Sequence, residues 1–190
     1  KALNPERSLS QRQNGPRYRQ GTVMTDSKIF DAASALIELA YGEGITFGFA
    51  ESLTGGMISS SVVEVPGASK AFKGSVVSYT NEVKENVLGV PADVIEEHTE
   101  VSAECAEAMA QGTCRVIGCD LAISVTGIAG PTGDLPGKPV GTVYMGYCYL
   151  KKNNSGARRL NFTGDRDTIR TGTVLEALRS AAGLIERGEA

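Results

Sequence analysis

A serine between an apolar run and two glycines is the first place in this chain where chemistry could sit. Residues 50–56 read AESLTGG, after the apolar TFGFA and before MISSSVVEV. Ser52 there falls at a turn between an expected strand and an expected helix, where its hydroxyl can be exposed beside helix N–H groups. A hydroxyl attacks a carbonyl carbon only when a base takes its proton. The usual base is an imidazole, and the 190-residue chain has one histidine, His98. A lysine can replace it, if burial or a nearby cation lowers its pKa from about 10.4 toward 7 or 8. Lys84, in SYTNEVK, follows a second expected strand at the same sheet level as Ser52, with Tyr79 at that strand's exit. Each also has a plain structural reading. Ser52 can be a turn residue, Lys84 a solvated helix lysine, Tyr79 a core-edge amphipath and Asn81 a helix cap.

A second glycine-bearing loop, TGIAGPTGDLPG, holds Gly127, Gly130, Gly133 and Gly137 after the apolar run DLAISVTG. In open α/β sheets, loops beyond the carboxyl ends of strands form the ligand crevice. Neither loop matches a dinucleotide or Walker fingerprint.

The elements that must position these residues follow from periodicity. Ile29, Ala33, Leu36, Ile37 and Ala40 share one helical face, with Asp26 or Ser27 able to cap the start and Gly42 the end. ITFGFAE reads as a strand, residues 54–65 as a helix stopped before Pro66, and FKGSVVSY as a strand. NEVKENVLG reads as a short helix, and PADVIEEH as one with proline in its first turn. SAECAEAMAQGTCRVIG is amphipathic, capped by Ser102, with Ala106, Met109, Ala110, Thr113 and Ile117 in a stripe. DLAISVTG reads as a strand buried on both faces. GTVYMGYCYL and ARRLNFTG read as a hairpin turning at KKNNSG. A last helix presents Leu175, Leu178, Ala182 and Ile185 inward. Early alternation of helix and strand, then two adjacent strands, predicts a three-layer α/β/α sandwich around a mixed, largely parallel sheet, in a single domain.

Composition narrows the class. Hydrophobic residues at 41% and charged residues at 22% suit a globular chain. No apolar stretch has the length of a membrane span, and no N-terminal segment resembles a secretory signal, so a cytoplasmic protein without a membrane partner is expected. The net charge of −3 conceals an asymmetry. Lys1, Arg7, Arg12, Arg17 and Arg19 against Glu6 make residues 1–23 net +4, which leaves −7 for the rest. That basic segment has few apolar residues and no periodicity, so it reads as a flexible tail, with Met24 a possible natural start and residues 24–190 as the domain. A nucleic-acid arm is the alternative, but Tyr18 is its one stacking aromatic, and the acidic body disfavours nonspecific DNA binding; no nucleic-acid partner is expected. Cys105, Cys114, Cys119 and Cys148 show no CxxC spacing and could recruit His98 alone, so no zinc site is expected and the thiols read as buried apolar groups.

Five motifs in order, AESLTGG, VVSYTNEVKENVLGV, SVTGIAGPTG, KPVGTV and FTGDR, resemble the CinA C-terminal domain family, which includes stand-alone nicotinamide mononucleotide deamidases. The resemblance runs from about residue 26 to 187. It implies hydrolysis of nicotinamide mononucleotide to nicotinic acid mononucleotide and ammonia, with no metal and no organic cofactor. It implies Ser52 as nucleophile, Lys84 as general base and Tyr79 as a hydroxyl assisting the pair. It implies Thr126 and Gly127 as pocket wall and Arg166 as the phosphate ligand, a role suited to a planar guanidinium. Backbone N–H groups near Thr54, Gly55 and Gly56 are expected to hold the oxyanion, and Asn81 is expected at the substrate. A homo-oligomer is expected from the resemblance alone. Leu53 stands where the family usually has cysteine, and is expected to pack into the core. No match to the family's separate pyrophosphatase-linked domain occurs in these residues. The rival expectations are a silent nucleotide-binding domain and an amidase for another small carboxamide.

Overall fold

The computed structural model describes residues 27–187; the expected basic tail and the Asp26 cap lie outside them. The chain runs α1 (Ser27–Gly42), β1 (Phe47–Glu51), α2 (Met57–Val63), β2 (Phe72–Val77), α3 (Asn81–Asn86), α4 (Ala92–His98), α5 (Ala103–Thr113), β3 (Leu121–Gly127), β4 (Thr142–Tyr149), β5 (Asn154–Asn161) and α6 (Arg166–Arg187). The sheet order is β2-β1-β3-β4-β5. β2, β1 and β3 are mutually parallel, and β4 runs antiparallel between β3 and β5. Four strands therefore point one way and β4 opposes them, the mixed sheet that the order of apolar runs predicts.

Helices cover both faces. The α1 stripe, Ile29, Ala33, Leu36, Ile37 and Ala40, is buried with Ile169, Val174 and Leu178 of α6 and Ile58 of α2 in one cluster with the sheet. On the other face Cys105 and Met109 of α5 pack with Leu88, Val90 and Ala50. β1 and β3 are central, and β3 is buried along nearly all its length. At about 25 cal/mol per Å2 of apolar surface removed from water, each large side chain buried there contributes roughly 1.5–3 kcal/mol.

Three local expectations shift. The second helix begins at Met57 rather than residue 54, because Gly55 at φ 61 and Gly56 at φ 98 form a left-handed turn that no helix can contain. Pro91 precedes α4 rather than lying in its first turn, with an extended ψ of 136. β5 starts at Asn154, because Leu150–Lys152 makes a 3-10 turn and Asn153, at φ 49, reverses the chain. Ser102 caps α5 as its spacing predicts, accepting from Cys105 N at 3.1 Å.

Candidate active site

The parallel strands end side by side, and their carboxyl ends deliver the singled-out residues to one rim. Ser52 is the first residue past β1, and its N–H donates to Val125 O of β3 at 3.0 Å, so the sheet holds its backbone. Gly55 N–H closes the turn onto Ser52 O at 3.2 Å. Leu53 tucks its side chain into the main core, as expected of a residue after a turn serine. Arg170 of α6 braces the turn from outside, donating from Nε to Leu53 O and from Nη2 to Thr54 O, both at 3.0 Å.

Lys84 lies on α3, whose start is capped by Thr80, the hydroxyl accepting from Val83 N at 3.4 Å. Asn81 is thus the first helical residue and not the cap. The Lys84 side chain is fully buried, which a solvated helix lysine would not be. Its Nζ lies 3.4 Å from Ser52 Oγ, 2.9 Å from Ser78 O and 3.5 Å from Tyr79 O. A neutral amine has two N–H bonds and one lone pair. With its N–H groups on two carbonyls, the lone pair is left for the serine hydroxyl.

Burial holds the Lys84 pKa below its ordinary value of 10.5, against the opposing pull of Cys105 and Glu100. The Cys105 thiol is itself pushed up to about 11, chiefly by its own burial. It is therefore uncharged near neutral pH, so the charge that acts on Lys84 there is the Glu100 carboxylate. His98 sits exposed at the end of α4 beside Glu97 at 3.8 Å and Glu104 at 4.0 Å. The amine of Lys84, not the imidazole of His98, lies beside the serine hydroxyl.

A cleft of about 280 Å3 opens over this pair, lined by Ser52, Tyr79, Glu100, Thr126, Gly127 and Arg166 among others. Tyr79 is 62% exposed and lines the cleft, and it is its carbonyl that approaches Lys84. Thr126 is buried and donates to Glu100 O at 2.7 Å, tying the end of β3 to the segment between α4 and α5. Gly127 ends β3 against β4, where a Cβ would fall 2.6 Å from Thr142 O; only glycine fits. Arg166, exposed at the start of α6, donates to Gly130 O at 2.8 Å across the cleft mouth. A larger groove of about 560 Å3 between α1 and α6 shares no residue with this cleft. Arg158 in it is already paired with Glu176 at 2.6 Å.

Four expected binding residues do not line the cleft: Thr54, Gly55, Gly56 and Asn81. Gly55 N–H is spent on Ser52 O, and Gly56 N–H on a Glu51 carboxylate oxygen at 2.9 Å. Thr54 is fully buried, and its hydroxyl has no partner among the described residues. Among the described residues, the Thr54 N–H is the one of these three with no acceptor.

Glu51 is the residue the spacing concealed. It is fully buried and its carboxylate accepts from Gly56 N, from Ile58 N at 3.0 Å and from Ser59 N at 2.9 Å, as well as from the hydroxyls of Ser59 and Ser75. An anion at a helix start complements the macrodipole and the orphan N–H groups. Here the anion comes from five residues upstream of Gly56, outside any capping-box spacing. The N-terminus of α2 is therefore closed to a substrate phosphate. Glu100 and Arg170 likewise carried no sequence signal, because the elements that bring them to Lys84 and to the turn are distant in the chain.

Among the described residues, no group of three His, Cys, Asp or Glu side chains is arranged to hold a metal ion, and no helix is long and apolar enough to cross a membrane. The four cysteines are free and buried.

Fold and cleft together define an α/β domain with a hydroxyl–amine pair at the carboxyl edge of its sheet. The chain belongs to the CinA C-terminal domain family, whose model matches residues 30–185. The CinA-like protein of Thermotoga maritima is 47% identical over 135 residues, which are 71% of this chain and 32% of that protein. The CinA-like protein of Dictyoglomus thermophilum is 46% identical over 162 residues, 85% of this chain and 39% of that one. The chain thus spans about a third to two-fifths of the length of these relatives. The crystal structure of the competence/damage inducible protein CihA from Agrobacterium tumefaciens superposes with a TM-score of 0.81 at 31% identity, over 85% of this chain and 98% of that one.

Proposed function

We propose that the domain is a serine–lysine amidohydrolase that cleaves the carboxamide of nicotinamide mononucleotide to nicotinic acid mononucleotide and ammonia. The observation that carries the proposal is the 3.4 Å approach of a fully buried lysine amine to Ser52 Oγ. The separation is longer than a working proton-transfer contact and shortens when substrate displaces solvent. Neutral Lys84 takes the Ser52 proton as Oγ bonds to the carboxamide carbon. A backbone N–H on a developing oxyanion contributes about 3 kcal/mol in comparable sites; Gly55 and Gly56 N–H are committed elsewhere and Thr54 does not line the cleft, so none of the three expected donors is placed for that role. The C–N bond then breaks, Lys84 returns its proton to the leaving nitrogen, and ammonia departs from an acyl-serine ester. Water attacks the ester carbon while Lys84 takes its proton, the C–O bond breaks, and the proton passes back to Ser52 Oγ.

Arg166 at the mouth suits a phosphate, and closure of the α2 N-terminus by Glu51 leaves Arg166 as the cation of the cleft wall available for one. Tyr79 reaches the same wall and can close over the ring. The scheme calls on no metal and no organic cofactor. The test is ammonia release from nicotinamide mononucleotide by the native protein, by Ser52→Ala and by Lys84→Ala. Both variants are expected to lose turnover while remaining folded; near-native turnover by Ser52→Ala overturns the scheme.

A further inference from the structure

Glu100 enters the cleft wall directly after a positive-φ residue. The preceding residue, Thr99, has φ 71, a left-handed conformation that β-branched residues rarely adopt. The cross-links that hold it there are specific. Lys138, from the glycine-bearing loop on the other side, donates to Thr99 Oγ1 at 2.9 Å and to His98 O at 3.0 Å. Thr126 at the end of β3 grips the Glu100 carbonyl at 2.7 Å. The backbone of Glu100 is thus fixed from two directions, yet its carboxylate meets no hydrogen-bond or ion-pair partner among the described residues. Glu100 lines the same cleft as Ser52, and it is only partly exposed. Glu100 and Arg166 are the two charged side chains of the lining. The cleft that exposes Ser52 thus carries one negative and one positive side chain, the positive one held to Gly130 O.

That polarity is mismatched to a neutral carboxamide, since a carboxylate facing the cleft without a partner is desolvated by any apolar ring that enters. It is matched to a carboxamide borne on a cationic ring with an anion at its far end. We infer that Glu100 is a specificity-determining residue that selects substrates whose ring, beside the carboxamide, carries a positive charge. The inference rests on the amidase reading for the placement of the ring, and names the ring charge as what the site recognises. Ground-state attraction to the cation lowers the dissociation constant, and the same carboxylate disfavours the uncharged ring of otherwise identical shape.

The test separates binding from turnover. Oxidised nicotinamide mononucleotide carries a pyridinium cation; its dihydro form keeps the carboxamide, ribose and phosphate but has a neutral ring. Dissociation constants for both are measured by calorimetry on Ser52→Ala, which blocks turnover, and on the Ser52→Ala/Glu100→Gln double variant. Ser52→Ala is expected to prefer the cationic form by about five- to tenfold, the effect of one partly solvated charge pair. The double variant is expected to bind the two forms within about twofold, mainly by losing affinity for the cation. A preference that survives Glu100→Gln unchanged overturns the inference, as does failure of the cationic form to bind Ser52→Ala. Ammonia release by the native protein is read in parallel. A Glu100-dependent preference without ammonia release leaves the recognition standing and removes the amidase reading. Release without such a preference does the opposite.

Discussion

Ser52 Oγ and Lys84 Nζ meet at 3.4 Å from positions 32 residues apart in the chain. One arrives from the exit of the central strand β1, the other from the first turns of a helix that follows the edge strand β2. The lysine is wholly enclosed where they meet, and two carbonyls take its N–H bonds.

Replacing that lysine has opposite consequences for activity and for stability. Lys84→Met is expected to lower ammonia release by roughly 10²–10⁴-fold, the usual worth of a general base. A lysine whose folded pKa is depressed holds fewer protons folded than unfolded. Its burial costs stability below the folded pKa, and the cost fades as pH rises toward the unfolded value of about 10.4. Relative to native, Lys84→Met should therefore be more stable at pH 7 than at pH 10, by about 1.4 kcal/mol for each pH unit between the two pKa values. Denaturant titrations at both pH values check the sign.

The pH dependence of turnover should rise through the folded pKa of Lys84, because only the neutral amine accepts a proton. The Ser52 hydroxyl of the turn lies against Lys84, and the Cys105 thiol of α5 and the Glu100 carboxylate of the α4–α5 connection act on it electrostatically. The thiol, with its pKa near 11, is uncharged through the working range. Glu100→Gln should then move the rising limb to lower pH, while Cys105→Ala should leave it in place. Limbs that coincide in all three proteins would show that another group sets the limb.

Glu51 should prove structural at a distance from the chemistry. Glu51→Ala strands three backbone N–H groups at the start of α2 and two hydroxyls. At about 1–3 kcal/mol for each buried donor left unmade, the loss should reach at least ~3 kcal/mol, or roughly 10 °C in Tm for a chain of this size. Glu51→Gln, which keeps one acceptor oxygen, should lose less. A melt of Glu51→Ala within about 2 °C of native would show that water replaces the carboxylate.

Arg166→Ala should raise KM for nicotinamide mononucleotide by roughly 10- to 100-fold with little change in kcat, the scale of one hydrogen bond to a charged group. With the riboside, which lacks the phosphate, native and variant should be alike. A variant that loses both substrates equally points to a role in holding Gly130 O, its present partner at 2.8 Å.

Thr54 offers a gain. Its hydroxyl is buried and has no partner among the described residues, so Thr54→Val should stabilise by ~1 kcal/mol, roughly 2–4 °C in Tm, and leave turnover unchanged because the residue does not line the cleft. Loss of activity would restore Thr54 to the substrate-contact set.

How far the fold was legible depended on range. The α1 stripe, the Ser102 cap and the uninterrupted β3 run all express interactions within a few residues, and periodicity reads those directly. The start of α2 was misjudged because its turn depends on two left-handed glycines followed by a cap supplied from Glu51, a contact with no local spacing rule. Asn81 looked like a cap beside Thr80 because adjacent polar residues are interchangeable by type; the helix phase alone chose Thr80.

The sequence by itself determined the order of elements, the buried faces and which side chains could do chemistry, because hydrophobic periodicity and turn propensity are local properties of the chain. Tertiary structure alone decided that Lys84 is buried rather than solvated, that Gly55 and Gly56 have no N–H to spare, and that Glu100 lines the same cleft as Ser52. Those outcomes turn on desolvation and on hydrogen-bond partners contributed by strands and helices far apart in sequence, and neither exists until the sheet has assembled.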